Sequence, residues 1–404
     1  MTTGPIANKW VFLAVACAAV VPSFTTWFAA TAILPELVVR WRLDPNGASW
    51  LTNGVQAGFV TGALVMSMTG LPDRVAPQRL MTLAAAIAGL STLGLLLEPG
   101  TGAAIALRFV TGAALAGVYP PSMKLMATWF RAGRGLALGF LVGALTLGSA
   151  MPHLIRALGA NLDWQAVLVA SGAFSIASAA IAALLLREGP YPFAPGAKVD
   201  LRQVGAILRN RPVMAANLGY FGHMWELYAM WGWFLAFGRA AAETGLQLAN
   251  PSLLAFVAIA IGVAGCIFGG MLADRIGRSH ATALAMVVSG SCAVGIGFVF
   301  TGPLWLLVAV ALIWGFSVIA DSAQFSAAVT ELAPPEIVGS ALAFQMGVGF
   351  ALTIVSVWAV PLLAGVVGWQ WVFLVLAPGP FLGAWAMLAL RRMPEAERMA
   401  GGRR

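Results

Sequence analysis

The feature that most constrains this chain is a series of long apolar stretches, separated by short polar segments, along its whole length. Of the 404 residues, 60% are hydrophobic and only 9% are charged, whereas a soluble domain has about a quarter charged residues. A helix needs about 20 mainly apolar residues to cross the hydrocarbon layer of a membrane. The pattern therefore predicts an all-α polytopic membrane protein and excludes a soluble one.

We predict twelve transmembrane helices from twelve such stretches. They lie near 10–34, 48–69, 80–97, 102–126, 136–158, 164–186, 212–238, 251–273, 281–301, 304–329, 339–364 and 370–391. The longest polar interruption lies near the midpoint and is rich in proline and cations, so we predict a cytoplasmic linker at 188–211 between six-helix bundles at 1–187 and 212–404.

The two halves of the chain match each other in outline. A shift of 201 residues, the separation of Asp73 and Asp274, superimposes the first six stretches on the last six. This correspondence predicts two pseudo-symmetric six-helix bundles that arose by duplication.

Basic residues predict the orientation of the chain in the membrane. If both termini are cytoplasmic, most Lys and Arg residues lie in cytoplasmic segments, and the opposite side holds only Arg40, Arg42, Arg156 and Arg239. The positive-inside rule therefore predicts a multi-pass protein of the inner (plasma) membrane with cytoplasmic ends. The net charge of +8 then reflects this topology, and no nucleic-acid partner is expected.

The sequence motifs speak against enzyme chemistry. Cys17, Cys266 and Cys292 lie inside apolar stretches, without the spacing of a zinc site or a disulfide framework. The sequence has neither a G-x-x-x-x-G-K-[ST] phosphate loop nor an H-E-x-x-H zinc motif. We therefore predict that the protein is not an enzyme and binds no metal or cofactor.

Ionisable residues inside the apolar stretches are few, and each is a functional candidate, because such groups usually face a bundle interior or a water-filled cavity. His223 and Glu226 lie in the middle of the seventh stretch, where helical spacing of 100° per residue gives them one face with Met230 and Trp233. The tenth stretch has a second polar stripe, at intervals of three or four residues, formed by Trp314, Ser317, Asp321 and Gln324.

The buried acids suggest proton chemistry. Burial disfavours the charged form of a carboxylate, so Glu226 or Asp321 could carry a proton at working pH. We predict Glu226 as the principal proton site, His223 as a residue that adjusts it, and Asp321 as a second proton site or a substrate ligand. The alternative for Glu226 is a neutral, hydrogen-bonded structural residue, and His223 could equally bond a neighbouring helix.

Two other stretches carry polar residues with more than one interpretation. Arg108 in the fourth stretch could hold an anionic group through bidentate hydrogen bonds, or it could fix its own helix by bonding within or between helices. The fifth stretch has a polar face whose last two members would form a gate or a solvated rim near the periplasmic end, and this face contains Thr146, Ser149, His153 and Arg156.

A repeated charged motif carries a family resemblance. Residues 270–278, GMLADRIGR, are similar to the signature loop that follows the second and eighth helices in the major facilitator superfamily, and residues 108–112 resemble the family's Arg-x-x-x-Gly element. The first copy of the loop keeps the Asp73-Arg74 pair. The first copy has Thr69, Ala76 and Pro77 at the positions where the second copy has glycine, glycine and arginine.

The resemblance implies a secondary transporter that works by alternating access. It implies loops that latch the two bundles together in one access state through Asp73, Arg74, Arg134, Asp274, Arg275 and Arg278; the alternative is a set of turn-forming pairs that only fix the topology. It also implies a central cavity lined by the first, fourth, seventh and tenth helices, with substrate contacts from Arg108, Tyr119, Thr26, Glu226, Met230, Trp233, Trp314, Ser317 and Gln324.

The predicted function is proton-coupled transport of a small organic solute by a protein that functions as a monomer in the lipid bilayer. Arg108 together with protonated acids would suit uptake of an organic anion. Two alternatives stay open, namely proton antiport that exports amphipathic or cationic compounds, and a non-transporting membrane receptor or sensor on the same fold. The sequence leaves open the substrate, the direction of transport and the coupling ion.

Overall fold

The computed structural model describes residues 8–130, 134–159, 163–191 and 201–404. Every regular element in these ranges is helical. The chain divides into two compact units, unit 1 at Met1–Gly196 and unit 2 at Ala197–Arg404.

The described residues of unit 1 form ten α-helices and one 3-10 helix. The α-helices are α1 Lys9–Phe24, α2 Ala29–Ala32, α3 Leu34–Trp41, α4 Pro45–Thr69, α5 Leu71–Arg74, α6 Pro77–Leu93, α7 Thr101–Leu115, α8 Tyr119–Ala127, α9 Arg134–Leu158 and α10 Gln165–Leu185, and the 3-10 helix is Gly94–Leu97. The main packing partners are α4 with α7, α6 with α10, and α1 with both α9 and α10.

Within residues 201–404, unit 2 forms nine α-helices and four 3-10 helices. The α-helices are α11 Val204–Arg209, α12 Arg211–Glu243, α13 Pro251–Ala260, α14 Gly262–Ile276, α15 Arg278–Gly295, α16 Leu304–Ser317, α17 Ser322–Leu332, α18 Val338–Trp371 and α19 Pro378–Arg391, and the 3-10 helices are Leu201–Gln203, Ile296–Val299, Val372–Leu376 and Pro394–Gly402. Helix α12 packs along α18 and α19 at the centre of this unit.

Eight helical stretches in the described ranges are long and apolar enough to cross a membrane: Pro77–Leu97, Thr101–Ala127, Gly135–Leu158, Gln165–Leu185, Pro251–Ile276, Arg278–Val299, Leu304–Leu332 and Val338–Arg391. The prediction of an all-helical polytopic membrane protein is thereby confirmed. Each predicted apolar stretch is mainly helical, while the number of twelve crossings stays a prediction.

The difference between eight and twelve has identifiable causes. Helices α18 and α19 form one stretch of 54 residues, although Gly368 interrupts α18 with a φ of 76°. Helices α4 and α12 have 25 and 33 residues, but buried polar side chains lower their hydropathy. Helix α1 is apolar but has only 16 residues. Of the predicted linker, residues 192–200 lie outside the described ranges, and its end contains α11.

Several of the predicted helices are interrupted, and three of these breaks lie beside predicted site residues. The first is broken after α1, where Thr25 and Thr26 donate their hydroxyls to backbone carbonyls three residues earlier, at 2.6 and 2.7 Å. The fourth is broken between α7 and α8, where Pro120 and Pro121 have no N–H to continue the helical ladder. The tenth is broken between α16 and α17, and Asp321 lies at that break.

Glycines allow the closest helix packing in both units. A Cβ on Gly58 or Gly112 would overlap a backbone carbonyl of the partner helix, so α4 and α7 touch through their backbones. In unit 2, Gly269 allows α14 to make the same kind of backbone contact with the segment after α16. Gly315 allows such a contact between α16 and α13. Small residues permit this approach because helix association in a membrane depends on close packing rather than on the hydrophobic effect.

The two copies of the signature loop differ in backbone. In the second copy α14 continues to Ile276, and Gly277 then adopts a φ of 90°, which favours glycine. In the first copy the chain turns earlier, at Gly70 with a φ of 64°, and Ala76 has an ordinary φ of −55°. The substitution of glycine by alanine in the first copy is therefore matched by a different turn.

We expect Gly112→Ala to destabilise unit 1, because the added methyl group would overlap the Val55 carbonyl of α4. Forcing atoms into a packed interface costs about 1–3 kcal/mol or more. Gly102→Ala on the same helix is the control, since a Cβ there meets no described atom within 4 Å and alanine favours helix. Thermal unfolding in detergent should show a lower Tm for Gly112→Ala only. Equal Tm values would contradict the close packing of α4 and α7.

Candidate functional site

The carboxyl group of Glu226 lies in the middle of α12 and is almost completely buried, with 1% of the residue exposed. The Ser289 hydroxyl donates to Oε2 at 2.8 Å, and the Trp314 indole N–H donates to Oε1 at 2.7 Å. Each carboxyl oxygen therefore has its own donor, from a different helix. Such bonds satisfy a buried acid that could not otherwise remain in an apolar bundle.

Packing fixes the Trp314 side chain. Its ring lies edge-on to Phe373, with centroids 5.2 Å apart, and to Phe234 at 6.1 Å. One turn before Glu226 on the same face of α12, Gly222 and Gly379 bring the backbones of α12 and α19 into contact. The position of Glu226 relative to its two donors is thus set by backbone and ring packing.

A second buried pair lies one turn away on α12. The His223 Nδ1 atom is 2.8 Å from Asp321 Oδ1, and the two side chains are 1% and 2% exposed. Asp321 precedes α17 but makes no capping bond to that helix, and the rings of Tyr220 and Phe325 flank His223. The acid at the break in the tenth predicted helix therefore faces an imidazole rather than a helix end.

The predicted proton residues come together in this unit, in an arrangement only partly foreseen. His223 is paired with Asp321, and the described hydrogen-bond partners of Glu226 are Ser289 and Trp314 instead. The adjustment of Glu226 by His223 stays a prediction. Ser289 was missed because a single serine in an apolar stretch carries no distinctive signal.

The other predicted ligands of unit 2 have structural contacts as well. Met230 is completely buried, and the Trp233 indole donates to the Val357 carbonyl of α18 at 2.8 Å. The Ser317 hydroxyl bonds the Ile313 carbonyl within its own helix at 2.8 Å. These contacts secure helices, and a role in substrate binding stays a prediction for each of the three.

A further polar network in unit 2 was not predicted. The Gln345 amide donates to Asn217 Oδ1 at 3.1 Å, and Ser326 donates to Gln345 Oε1 at 3.1 Å. It joins α12, α17 and α18. Asn217 lies six residues before His223, outside the run of residues that drew attention to the seventh helix.

Arg108 in unit 1 is completely buried and bonds backbone carbonyls. Its Nη1 donates to the Thr26 carbonyl at 2.8 Å, its Nη2 to the Trp27 carbonyl, and its Nε to the Leu51 carbonyl at 3.4 Å. Thr26 and Trp27 belong to the break after α1, where helical carbonyls lose their usual partners. The contacts favour the interpretation that Arg108 fixes neighbouring helices, while direct substrate binding stays a prediction.

Two other predicted ligands of unit 1 lie near the same break. The Thr26 hydroxyl bonds the Ser23 carbonyl at 2.7 Å. Tyr119, at the start of α8, is half-buried and lies edge-on to Phe24, with ring centroids 6.2 Å apart. Together with Arg108, they place all the predicted unit 1 ligands around one interruption of the first helix.

The polar face of the fifth predicted helix is buried rather than solvated at His153. Ser149 and His153 are both 0% exposed. Arg156, one turn later, forms an ion pair with Glu36 of α3 at 2.6 Å. A solvated rim is therefore wrong for His153, because the neighbouring helices cover it completely.

The predicted gating residues fall into three groups. The side chains of Asp73 and Arg134 lie outside the described residues. Arg74, Asp274 and Arg275 are exposed. In the second loop Arg278 donates twice to Glu331, at 2.8 and 2.6 Å, and once to Gln324 at 2.5 Å, so a predicted ligand and a predicted gating residue contact each other. Glu331 was missed because its partner comes from another loop.

The chemistry available to the site is proton exchange and hydrogen bonding. Unit 2 holds two buried acids and one imidazole, and unit 1 holds a buried guanidinium whose described partners are carbonyl oxygens. In the described residues no three His, Cys, Asp or Glu side chains come together as a metal site would require. The groups present can bind a proton, an ion or a polar solute without a cofactor.

Comparison with known proteins places these features in a family. The sequence matches the profile of the Major Facilitator Superfamily over residues 16–320 and again over residues 240–404. A gallate transporter of Pseudomonas putida is 23% identical over 393 residues, which cover 88% of this chain and 86% of that protein. A probable sulfoacetate transporter of Cupriavidus necator is 22% identical over 223 residues, 51% of each chain, so the match spans about half of that relative.

A solved structure shares the fold. It is a bacterial homolog of the human lysosomal transporter Spinster, solved in an inward-facing and unoccupied conformation, and it superimposes with a TM-score of 0.71. The match covers 97% of this chain and 100% of that chain at 14% sequence identity. At this level of identity the likeness concerns the fold alone.

We expect Arg108→Met to lower the Tm of the protein, because the carbonyls of Thr26 and Trp27 would lose their donor. Each buried carbonyl left without a partner costs about 1–3 kcal/mol. Arg108→Lys should be intermediate, since an ammonium cannot reproduce the planar fork. Arg209→Met, at an exposed position, is the control. If Arg108→Met kept the wild-type Tm and lost only transport, Arg108 would be a ligand and not a structural donor.

Proposed function

The chain belongs to the major facilitator superfamily, a family of membrane transporters and not of enzymes, and on that premise we propose that it imports a small organic anion together with protons. The transport cycle would be alternating access. The observation that carries the proposal is the fully buried carboxyl group of Glu226, held by two donors at 2.8 and 2.7 Å.

The anionic substrate class is supported by the relatives. Gallate and sulfoacetate, the compounds that name them, are both organic acids. Identities of 22–23% leave the individual compound open. We therefore propose a small organic acid as the class of substrate.

The hydrogen bonds of Glu226 suit a group that gains and loses a proton. An indole N–H is only a donor, whereas a serine hydroxyl both donates and accepts. Ser289 lies 2.8 Å from Glu226 Oε2 and 3.1 Å from the Met286 carbonyl. It can donate to the carboxylate, or turn to the Met286 carbonyl and accept a hydrogen bond from the protonated acid. Both protonation states of Glu226 are therefore satisfied.

Charge links the proton to the substrate. A carboxylate at Glu226 would repel an anion in a medium of low dielectric constant, and protonation removes this repulsion. Binding of the proton therefore favours binding of the anion, and the reverse follows by linkage. A cation would compete with the proton at the same group, which is the logic of the alternative, proton antiport. The relatives, which are named for organic acids, favour import of an anion together with protons.

The His223–Asp321 pair is proposed as the second ionisable element. As an imidazolium and a carboxylate, or as two neutral groups, the pair carries no net charge, so it can remain buried in either form. It becomes charged only if one member gains or loses a proton alone. We propose that His223 adjusts the proton affinity of Glu226, with Asp321 as a second proton site.

The topology that goes with this function is also proposed. Twelve membrane helices would form two pseudo-symmetric six-helix bundles, 1–187 and 212–404, joined by a cytoplasmic linker at 188–211, with both termini cytoplasmic and one chain sufficient for transport. The loops with Asp73 and Asp274 would latch one access state. The contacts of Arg278 with Glu331 and Gln324 support the latch by holding the second loop against α17.

We expect Glu226→Gln to abolish proton-driven accumulation in proteoliposomes while exchange of labelled substrate across the membrane continues, because the amide keeps the shape but cannot carry the proton. Gallate and sulfoacetate are the probes. Glu243→Gln, at an exposed position on the same helix, is the control. Undiminished accumulation by Glu226→Gln would remove Glu226 from the coupling role. A wild-type protein that binds these acids without moving them would instead indicate a receptor.

We expect Ser289→Ala to reduce proton-driven accumulation by about tenfold, the equivalent of one lost hydrogen bond to a charged group. Ser289→Thr keeps the hydroxyl and should retain most of the activity. The measurement is initial uptake under an imposed proton gradient. The hydroxyl has no part in coupling if both variants behave alike.

A further inference from the structure

Four polar side chains of unit 1 are completely buried yet lack hydrogen-bond partners among the described residues. They are Gln56, Ser149, His153 and Ser171, each with 0% exposure. We call the first three the unit 1 polar set. Both amide atoms of Gln56 and both ring nitrogens of His153 are without a partner there. Buried polar groups in folded proteins are almost always hydrogen-bonded, so four such residues in one unit need a physical explanation.

The level of Gln56 in the unit follows from its neighbours on α4. One turn before it, Thr52 lies 3.2 Å from Thr31 of α2. Three residues after it, the ring of Phe59 is 5.2 Å from that of Trp27. Gln56 is therefore level with the segment between Trp27 and Thr31, which contains the break after α1 and the start of α2.

Ser149 and His153 reach the same level from the other side of that segment. Helix α9 crosses α1 at Gly148, where a Cβ would overlap the Val21 carbonyl. It meets α3 at the Arg156–Glu36 ion pair. Helix α9 therefore runs in the same direction as the segment from α1 to α3. His153 lies between these two crossings, beside α2, and α2 packs against both α4 and α9. The whole polar set is thus level with α2.

The charge at this level is positive. The guanidinium of Arg108 reaches the carbonyls of Thr26 and Trp27 at the same break. Its described partners are carbonyl oxygens and include no carboxylate. Its charge therefore remains available to attract an anion through the low-dielectric interior, although its N–H groups are engaged.

The chemistry of the set suits an anion of this kind. An amide NH2, a hydroxyl and an imidazole N–H are all donors, and hydrogen bonds to a charged acceptor are stronger than those between neutral groups. We propose that Gln56, Ser149 and His153 hold the carboxylate group of the transported acid. This inference rests on the proposed function and extends it, since it places the anionic end of the substrate in unit 1 beside α2.

A stability measurement tests the set without a ligand. Residues kept for a ligand and not for the fold should be replaceable by apolar residues without loss of stability. We expect Gln56→Met, Ser149→Ala and His153→Phe to leave the Tm unchanged or raise it. Ser175→Ala is the matched control, because Ser175 is equally buried but donates to the Ala85 carbonyl at 2.7 Å; its Tm should fall. A fall in Ser149→Ala as large as in Ser175→Ala would show that the set is structural and overturn the proposal.

A binding measurement tests the ligand. We expect the wild-type protein to bind gallate more tightly than its neutral methyl ester in calorimetric titrations. Each of the three substitutions should weaken gallate binding about tenfold or more and change ester binding little, whereas Ser175→Ala should bind both like the wild type. If the variants keep the preference for the acid, the proposal is wrong while anion transport stands.

The failure of the proposed function has a different signature. A wild-type protein that binds neither gallate nor sulfoacetate would overturn the anionic substrate class. In that case the Tm comparison between Ser149→Ala and Ser175→Ala decides by itself whether the polar set serves a ligand or the fold.

Discussion

The contact on which most of unit 1 depends is that of Arg108 with the backbone carbonyls of Thr26 and Trp27. Inside a membrane every buried backbone polar group needs a partner from the protein itself, because no water is available. A helix that ends in the middle of a bundle leaves carbonyls exposed. The guanidinium supplies donors to two carbonyls at the break in the first helix, and two threonine hydroxyls supply donors to two more.

The break has consequences for everything placed around it. It lets α2 pack against both α4 and α9, and it puts a positive charge at the level of three unpartnered polar side chains. The glycine contacts make this arrangement rigid, because backbones that touch at Gly58 and Gly112 leave little freedom for α4 and α7 to slide. In unit 2, close packing of the same kind around α16 holds the Trp314 side chain beside Glu226.

The sequence predicted what depends on local spacing and missed what depends on distant pairing. Helical periodicity identified His223, Glu226, Trp314 and Asp321, because residues three or four apart share a helix face wherever the helix lies. It could not identify Ser289 or Glu331, since those residues acquire a role only when separate helices meet.

The stretch at 10–34 was predicted as one helix because its threonines are compatible with an apolar span, and only the structure shows their hydroxyls bonding to backbone carbonyls. The signature loop was more informative, as the exchange of Gly277 for Ala76 corresponds to two different turns.

Glu226 in unit 2 and the polar set in unit 1 differ in their hydrogen-bond partners, and this contrast supports a division of tasks. In unit 2 both buried acids have polar neighbours, since Glu226 accepts two hydrogen bonds and Asp321 contacts the imidazole of His223. A group that must hold or release a proton needs partners in both states, and Ser289 supplies them. In unit 1 the polar set has no described partner, while the N–H groups of Arg108 are engaged by backbone carbonyls. A group that must receive a solute needs unused hydrogen-bonding capacity, at a cost in stability that binding recovers. On this reasoning the proton is handled in unit 2 and the anion in unit 1.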